Sequence, residues 1–167
     1  MNITRTRHFT YLAMLSAMAI ALHILESAVL PPFFGVVRIG LANIIALITV
    51  RILGVREMIA VNIMRVVIGS LLSGVFLGST FWISLGGVFL SSLTLIVCDR
   101  LHSSLLFTAI LSAMAHSAGQ VLIVTMFYME PRFAAILPYF LLISVATGIF
   151  TGFISKLAVD RVRPLKK

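Results

Sequence analysis

The chain has 167 residues, of which 60% are hydrophobic and only 11% are charged, and its mean hydropathy is +1.15. A soluble domain of this size needs far more polar surface, so the composition predicts an integral membrane protein in a lipid bilayer. The formal net charge of +8 comes from basic residues at the ends of apolar runs. That is the pattern of membrane topology, not the basic, aromatic-rich stripe of a nucleic-acid-binding surface, so we expect no nucleic-acid partner.

The apolar runs predict six transmembrane helices in an all-α bundle, with residues 1–167 forming a single membrane domain. Pro31 and Pro32 follow the first run and cannot continue a helix. The second run has fifteen residues, which reach only about 22 Å across a hydrocarbon core of about 30 Å. We expect either that Arg38 and Arg51 snorkel at its ends or that neighbouring helices shelter it. The predicted spans are 9–28, 39–53, 58–77, 81–98, 105–129 and 134–158.

Lysine and arginine residues are unequally divided between the two ends of these spans. The side that holds both termini has ten of them, the opposite side has Arg38 and Arg132, and Arg65 lies within a span. The positive-inside rule therefore predicts that both termini are cytoplasmic, in a plasma or inner membrane. The ten are Arg5, Arg7, Arg51, Arg56, Arg100, Lys156, Arg161, Arg163, Lys166 and Lys167.

Small residues recur at a spacing of four residues in several spans. Ala13, Ala17 and Ala21 form one smooth strip on the first span, and Gly148 and Gly152 share a face of the sixth. Helices associate in lipid through such residues because apolar burial gives no gain there. We interpret the glycines as internal packing and the alanine strip as a surface that docks on another membrane protein.

Ionisable residues at membrane depth cost at least about 2.5–3.5 kcal/mol on insertion scales, so each one requires a physical reason. Arg65 lies near the middle of the third span, and Asn62 shares its helical face. The candidate ligand-binding residues are Arg38, Asn43, Asn62, Arg65, Trp82, His116 and Gln120.

The residues alone leave two interpretations of this set open. In a structural one, Arg65 pairs with Glu26 or with helix-end carbonyls, and His116 and Gln120 form hydrogen bonds between helices. In a functional one, the set lines an outward cavity in which arginine receives the anionic group of a largely apolar ligand. Trp82 either stacks on a flat ring or belongs to the interfacial aromatic belt.

The sequence gives no support for catalysis. Five carboxylates and four histidines are scattered along the chain, and Cys98 is the single cysteine, so no metal cluster or cofactor is expected. A phosphate-binding Gly-Lys-Ser/Thr loop is absent, so any ATP-driven transport needs an outside energy source. We therefore expect a protein that is not an enzyme.

Three blocks resemble the Gx transporter family, whose members are often labelled heptaprenyl diphosphate synthase component I. The resemblance covers about residues 9–158, with Ser117 and Arg38 standing where the family usually has asparagine and a lysine-like residue. The blocks are Gly40-Leu41-Ala42-Asn43-Ile44, Arg65 with Gly69-Ser70-Leu71-Leu72-Ser73-Gly74, and Ala115-His116-Ser117-Ala118-Gly119-Gln120.

That family is similar to the substrate-binding S-components of energy-coupling-factor transporters. The resemblance implies six helices, docking of Ala13, Ala17 and Ala21 on a coupling membrane subunit, separate ATPase subunits, and a loop over about 29–38 that caps the substrate. The ligand would be a small hydrophobic or aromatic anion, such as a vitamin, a flavin-like compound, or a quinone or isoprenoid precursor. The alternatives are a non-catalytic membrane subunit of heptaprenyl diphosphate or quinone synthesis, a membrane subunit of a flavin- or quinone-linked electron-transfer system, and a stand-alone permease.

Overall fold

The computed structural model describes residues 3–29 and 40–162. These residues form six α-helices and one 3-10 helix, and no strand occurs among them, so the all-α prediction is confirmed. The helices are α1 Ile3–Val29, α2 Asn43–Ile52, α3 Val55–Leu72, α4 Ser79–Arg100, α5 Leu105–Phe127 and α6 Leu137–Arg161, and the 3-10 helix Pro131–Ile136 leads directly into α6.

Four stretches are long and apolar enough to cross a membrane, and they correspond to the first, fourth, fifth and sixth predicted spans. α3 has 18 residues but carries Arg56, Glu57 and Arg65, and α2 has 10 residues, or about 15 Å of helix. A membrane protein with four candidate spans is thus supported, while the count of six crossings and the cytoplasmic termini stay predictions. The four stretches are Thr6–Ala28, Ser79–Arg100, Leu105–Phe127 and Pro131–Arg161.

The third helix differs from its predicted span of 58–77, because it starts three residues earlier and ends five residues earlier. The chain leaves the helix at Gly74 (φ 68°) and adopts a left-handed conformation again at Leu77 (φ 61°). Glycine takes that conformation without steric cost, which makes it a natural end for a helix. The second helix starts later than its predicted span of 39–53, at Asn43, and ends at Ile52.

α2 is the central helix of the bundle. Every residue of α2 except Arg51 is buried, and α2 packs against α1, α3 and α6 and touches α4 and α5. Its shortness is therefore compensated by shelter from neighbouring helices, one of the two outcomes expected. At its end Arg51 Nη2 donates to the carbonyl of Ser103, and Nη1 lies 3.9 Å from a carboxylate oxygen of Asp99.

The helices around the central α2 form two groups, one of α1 and α3 and one of α4, α5 and α6. The backbone of α1 approaches those of α2 and α3 and of no other described helix, whereas α5 packs along both α4 and α6. Close approach in the second group depends on glycine: a Cβ on Gly148 would lie 2.6 Å from Cα of Ile110, and a Cβ on Gly119 would collide with the carbonyl of Gly86. α2 packs between the two groups, and α3 contacts α4 directly.

Candidate functional site: a buried polar cavity

A polar cavity lies between the two groups of helices. Its described lining comes from α1, the turn before α2, α3, α4 and α5, and combines one guanidinium, one carboxylate and two imidazoles with a carboxamide and a hydroxyl. The lining residues are His23, Glu26, Gly40, Ala42, Arg65, Ser84, Val88, His116 and Gln120. Residues far apart in sequence thus converge in the interior of a largely apolar protein.

Arg65 is the central charged group of this cavity and is only 2% exposed. Its Nη2 donates to the carboxamide oxygen of Asn43 at 3.0 Å, which joins α3 to the first residue of α2. An ionised donor makes a stronger hydrogen bond than a neutral one, and more so away from water. The contact brings two of the predicted site residues together.

The turn before α2 is held by Glu26. The carboxylate of Glu26 accepts the backbone N–H of Gly40, and Gly40 has a φ of 84°, a conformation that favours glycine. A Cβ at this position would also lie 3.1 Å from Cδ2 of His116, and a Cβ on Gly87 would lie 2.9 Å from Cε1 of the same ring. Two glycines therefore make room for the His116 imidazole at the junction of the helix groups.

His23 occupies the other side of the cavity, between α1 and α3. Its ring packs on Gly69, where a Cβ would lie 2.5 Å from Cδ2 of His23. The site residues predicted from the sequence did not include His23, Glu26 or Ser84, although Glu26 was considered as a partner of Arg65. The spacing of His23 and Glu26, three residues apart on one helical face, was the available signal.

The predicted site residues divide into two sets. Arg65, His116 and Gln120 line the cavity and Asn43 contacts Arg65, whereas Asn62 and Trp82 are not part of the described lining. Asn62 donates instead to the hydroxyl of Ser92 on α4, at 2.8 Å. Trp82 is 43% exposed and packs edge-on against Phe81. Arg38 and the predicted cap over 29–38 lie outside the described residues, apart from helical residue 29.

The alanine strip lies on the outer face of α1. Ala13, Ala17 and Ala21 are all exposed, next to the exposed side chains of Met14 and Met18. The opposite face of α1 is buried, where Leu15 and Ala19 join an apolar cluster with residues of α2 and α3. The strip therefore remains available for contacts outside the chain.

The cavity is small in this conformation. Its volume of about 10 Å³ is enough for one water molecule. No group of three or more histidine, cysteine, aspartate or glutamate side chains among the described residues is positioned to hold a metal ion. The lining is suited to binding a polar or anionic group by hydrogen bonds and charge, and a larger ligand requires the helix groups to separate.

An all-helical membrane protein with a buried polar cavity is the class that this fold and site define. A family model described as heptaprenyl diphosphate synthase component I matches residues 15–158, which is most of the chain. The protein belongs to that family, as the resemblance of its sequence blocks predicted. Neither a curated protein nor a solved structure matches it significantly.

Proposed function

We propose that the protein is a substrate-binding membrane subunit of an ATP-driven uptake system, similar in role to an energy-coupling-factor S-component, and that it is not itself an enzyme. Its ligand is a small hydrophobic or aromatic molecule with an anionic group. The observation that carries the proposal is the buried arginine, Arg65, in a polar cavity that helices from both halves of the bundle line. Intramembrane ionisable groups that face a cavity commonly mark substrate pathways.

Two further features support a carrier over a purely structural bundle. The cavity lies where the two helix groups meet, so a relative movement of the groups would open it without unfolding either group. The exposed strip of Ala13, Ala17 and Ala21 offers a surface on which a coupling membrane subunit could approach α1 closely. Separate ATPase subunits would then supply the energy.

The binding site is tested by replacing Arg65 with methionine and identifying the small molecules that co-purify, by mass spectrometry. Arg132→Met is the matched control, because the side chain of Arg132 is 93% exposed and lies outside the cavity. We expect the wild type and Arg132→Met to retain the same compound and Arg65→Met to lose it, at unchanged size-exclusion elution. If both variants retain the compound equally, the proposal that Arg65 binds the anionic group of the ligand is contradicted.

Docking is tested separately by Ala17→Trp. The bulky ring should prevent co-purification with a coupling subunit and its ATPases, while the ligand content stays that of the wild type. Leu122→Trp is the control, since Leu122 is a similarly exposed position (52%) on α5. Normal docking of Ala17→Trp would remove the alanine strip from the proposal.

The second candidate is a non-catalytic membrane subunit of heptaprenyl diphosphate synthesis, and the description of the matching family favours it. Chain elongation of prenyl diphosphates needs carboxylate clusters that hold magnesium, and this chain has only two aspartates, Asp99 and Asp160. Under this candidate the protein acts through a separate soluble synthase. Co-purification with such a synthase, together with a change in its product length, would favour this candidate over uptake.

A further inference from the structure

The described lining of the cavity carries few charges, and this limits the head group of any ligand that enters it. Arg65 brings one positive charge, and Glu26 brings one negative charge when it is ionised. His23 and His116 add positive charge only when they are protonated. The remaining residues of the described lining are uncharged: Gly40, Ala42, Ser84, Val88 and Gln120. With both imidazoles neutral and Glu26 ionised, the charges of the described lining therefore sum to zero.

The charge of the ligand then decides how costly binding is. A carboxylate adds one negative charge, which a single protonation of His23, His116 or Glu26 would balance. A phosphate monoester carries about −1.5 to −2 charges at neutral pH, and a diphosphate carries more, so two or more protonations or a metal ion would be required. Unbalanced charge in an apolar interior is costly, and Glu26 is the one carboxylate in the described lining that could help to hold a metal ion beside a diphosphate.

Size and hydrogen bonding favour the same head group. The cavity of about 10 Å³ admits only one water-sized atom before the helices move. Ser84 is 3% exposed, and its hydroxyl has no hydrogen-bond partner among the described residues. A carboxylate oxygen can occupy this space, accept a hydrogen bond from the Ser84 hydroxyl, and bind the Arg65 guanidinium through a charge-assisted hydrogen bond.

We propose that the cavity receives the carboxylate end of an apolar ligand and discriminates against phosphate and diphosphate esters with the same apolar part. The inference rests on the proposed function, because it specifies the ligand of that same site. Arg65 supplies the fixed positive charge, and Ser84 is a specificity-determining hydroxyl. One proton enters the site with each carboxylate.

Two matched probe series test this proposal on the purified full chain in lipid nanodiscs, by titration calorimetry. One series is 2-naphthoate, 2-naphthyl phosphate and 2-naphthol, and the other is farnesoate, farnesyl diphosphate and farnesol. We expect the carboxylate of at least one series to bind at least about tenfold more tightly than its phosphate or diphosphate counterpart. Repeating the titration in buffers of different ionisation enthalpy should reveal uptake of about one proton per carboxylate.

Substitutions then assign the selectivity to residues. Ser84→Ala should weaken carboxylate binding by about fivefold to tenfold, the loss of one hydrogen bond. Ser91→Ala, at a buried serine of α4 whose hydroxyl donates to the Val88 carbonyl, should leave the affinity unchanged. Arg132→Gln, at an exposed arginine outside the cavity, should retain the selectivity, whereas Arg65→Gln should lose it.

The outcomes separate this inference from the proposed function. If a phosphate or diphosphate binds as tightly as its carboxylate counterpart, the carboxylate inference is overturned and the uptake proposal stands. Carboxylate binding that is unchanged by Arg65→Gln, or that is insensitive to Ser84→Ala, also overturns it. If no probe of either series binds, while a compound without a carboxylate co-purifies in an Arg65-dependent way, the inference is overturned and the uptake proposal stands. If no probe binds and no compound co-purifies in an Arg65-dependent way, both proposals are contradicted.

Discussion

Replacing Gly69 by alanine tests the contact between α1 and α3 that forms one wall of the cavity. A Cβ at this position would lie 2.5 Å from Cδ2 of His23 and 3.3 Å from its Cγ and Nε2. Carbon atoms rest at about 3.5–4.0 Å, so the imidazole or the helix that carries it has to move by about 1 Å. Overpacking costs about 1–3 kcal/mol, and alanine regains roughly 0.8–1.0 kcal/mol of helix propensity. We expect a net loss of about 1 kcal/mol in the free energy of unfolding.

The assay is a double-mutant cycle with His23→Ala, with unfolding in detergent micelles followed by circular dichroism. Without the imidazole, Gly69→Ala has only its propensity gain and should stabilise the protein. The expected coupling energy is about 1–3 kcal/mol, the size of the overpacking cost itself. A coupling energy within the additivity limit of about 0.3–0.5 kcal/mol would refute the packing of His23 on Gly69.

Three other predictions concern packing and topology. Gly119→Ala should lower the free energy of unfolding by about 3 kcal/mol, more than Gly69→Ala does. The added Cβ meets the backbone carbonyl of Gly86, which cannot rotate away. A loss smaller than that of Gly69→Ala in the same unfolding assay would contradict this. The hydroxyl oxygens of Ser117 on α5 and Ser144 on α6 lie 2.6 Å apart. Ser117→Ala should therefore lower the free energy of unfolding by about 0.6 kcal/mol, the average for hydrogen bonds between membrane helices. A loss above about 2 kcal/mol would mean that the hydroxyl has another role. Epitope tags at both termini should be digested by protease only after the cytoplasmic side is opened, and digestion of one tag in intact cells would disprove the predicted orientation.

The helices were predictable from sequence to the extent that their signal is local. A long apolar run indicates a helix whatever it packs against, and α1, α4, α5 and α6 were predicted in this way. The end of α3 was not predicted correctly, because the chain after it depends on left-handed backbone conformations at Gly74 and Leu77. Leucine gives no sequence signal for such a conformation.

The candidate site was predictable where a polar residue interrupts an apolar run. Arg65 and His116 are conspicuous for that reason, and both line the cavity. His23 was overlooked because its position depends on the pairing of α1 with α3, which is not encoded locally. Asn62 shares a helical face with Arg65, but a spacing of three residues leaves a rotation of about 60° between them. That rotation directs Asn62 to Ser92 on α4 and away from the cavity.

The construction of the cavity from helices that lie early and late in the chain has a consequence for biogenesis. During synthesis α1, α2 and α3 emerge before α5, so for a time Arg65 and Glu26 are in or near the membrane without the helix that carries His116 and Gln120. An arginine at the centre of a lone helix costs about 2.5–3.5 kcal/mol during insertion. We expect the first half to remain beside the insertion machinery until the second half arrives, so that the polar residues of the cavity also set the order in which the protein is assembled.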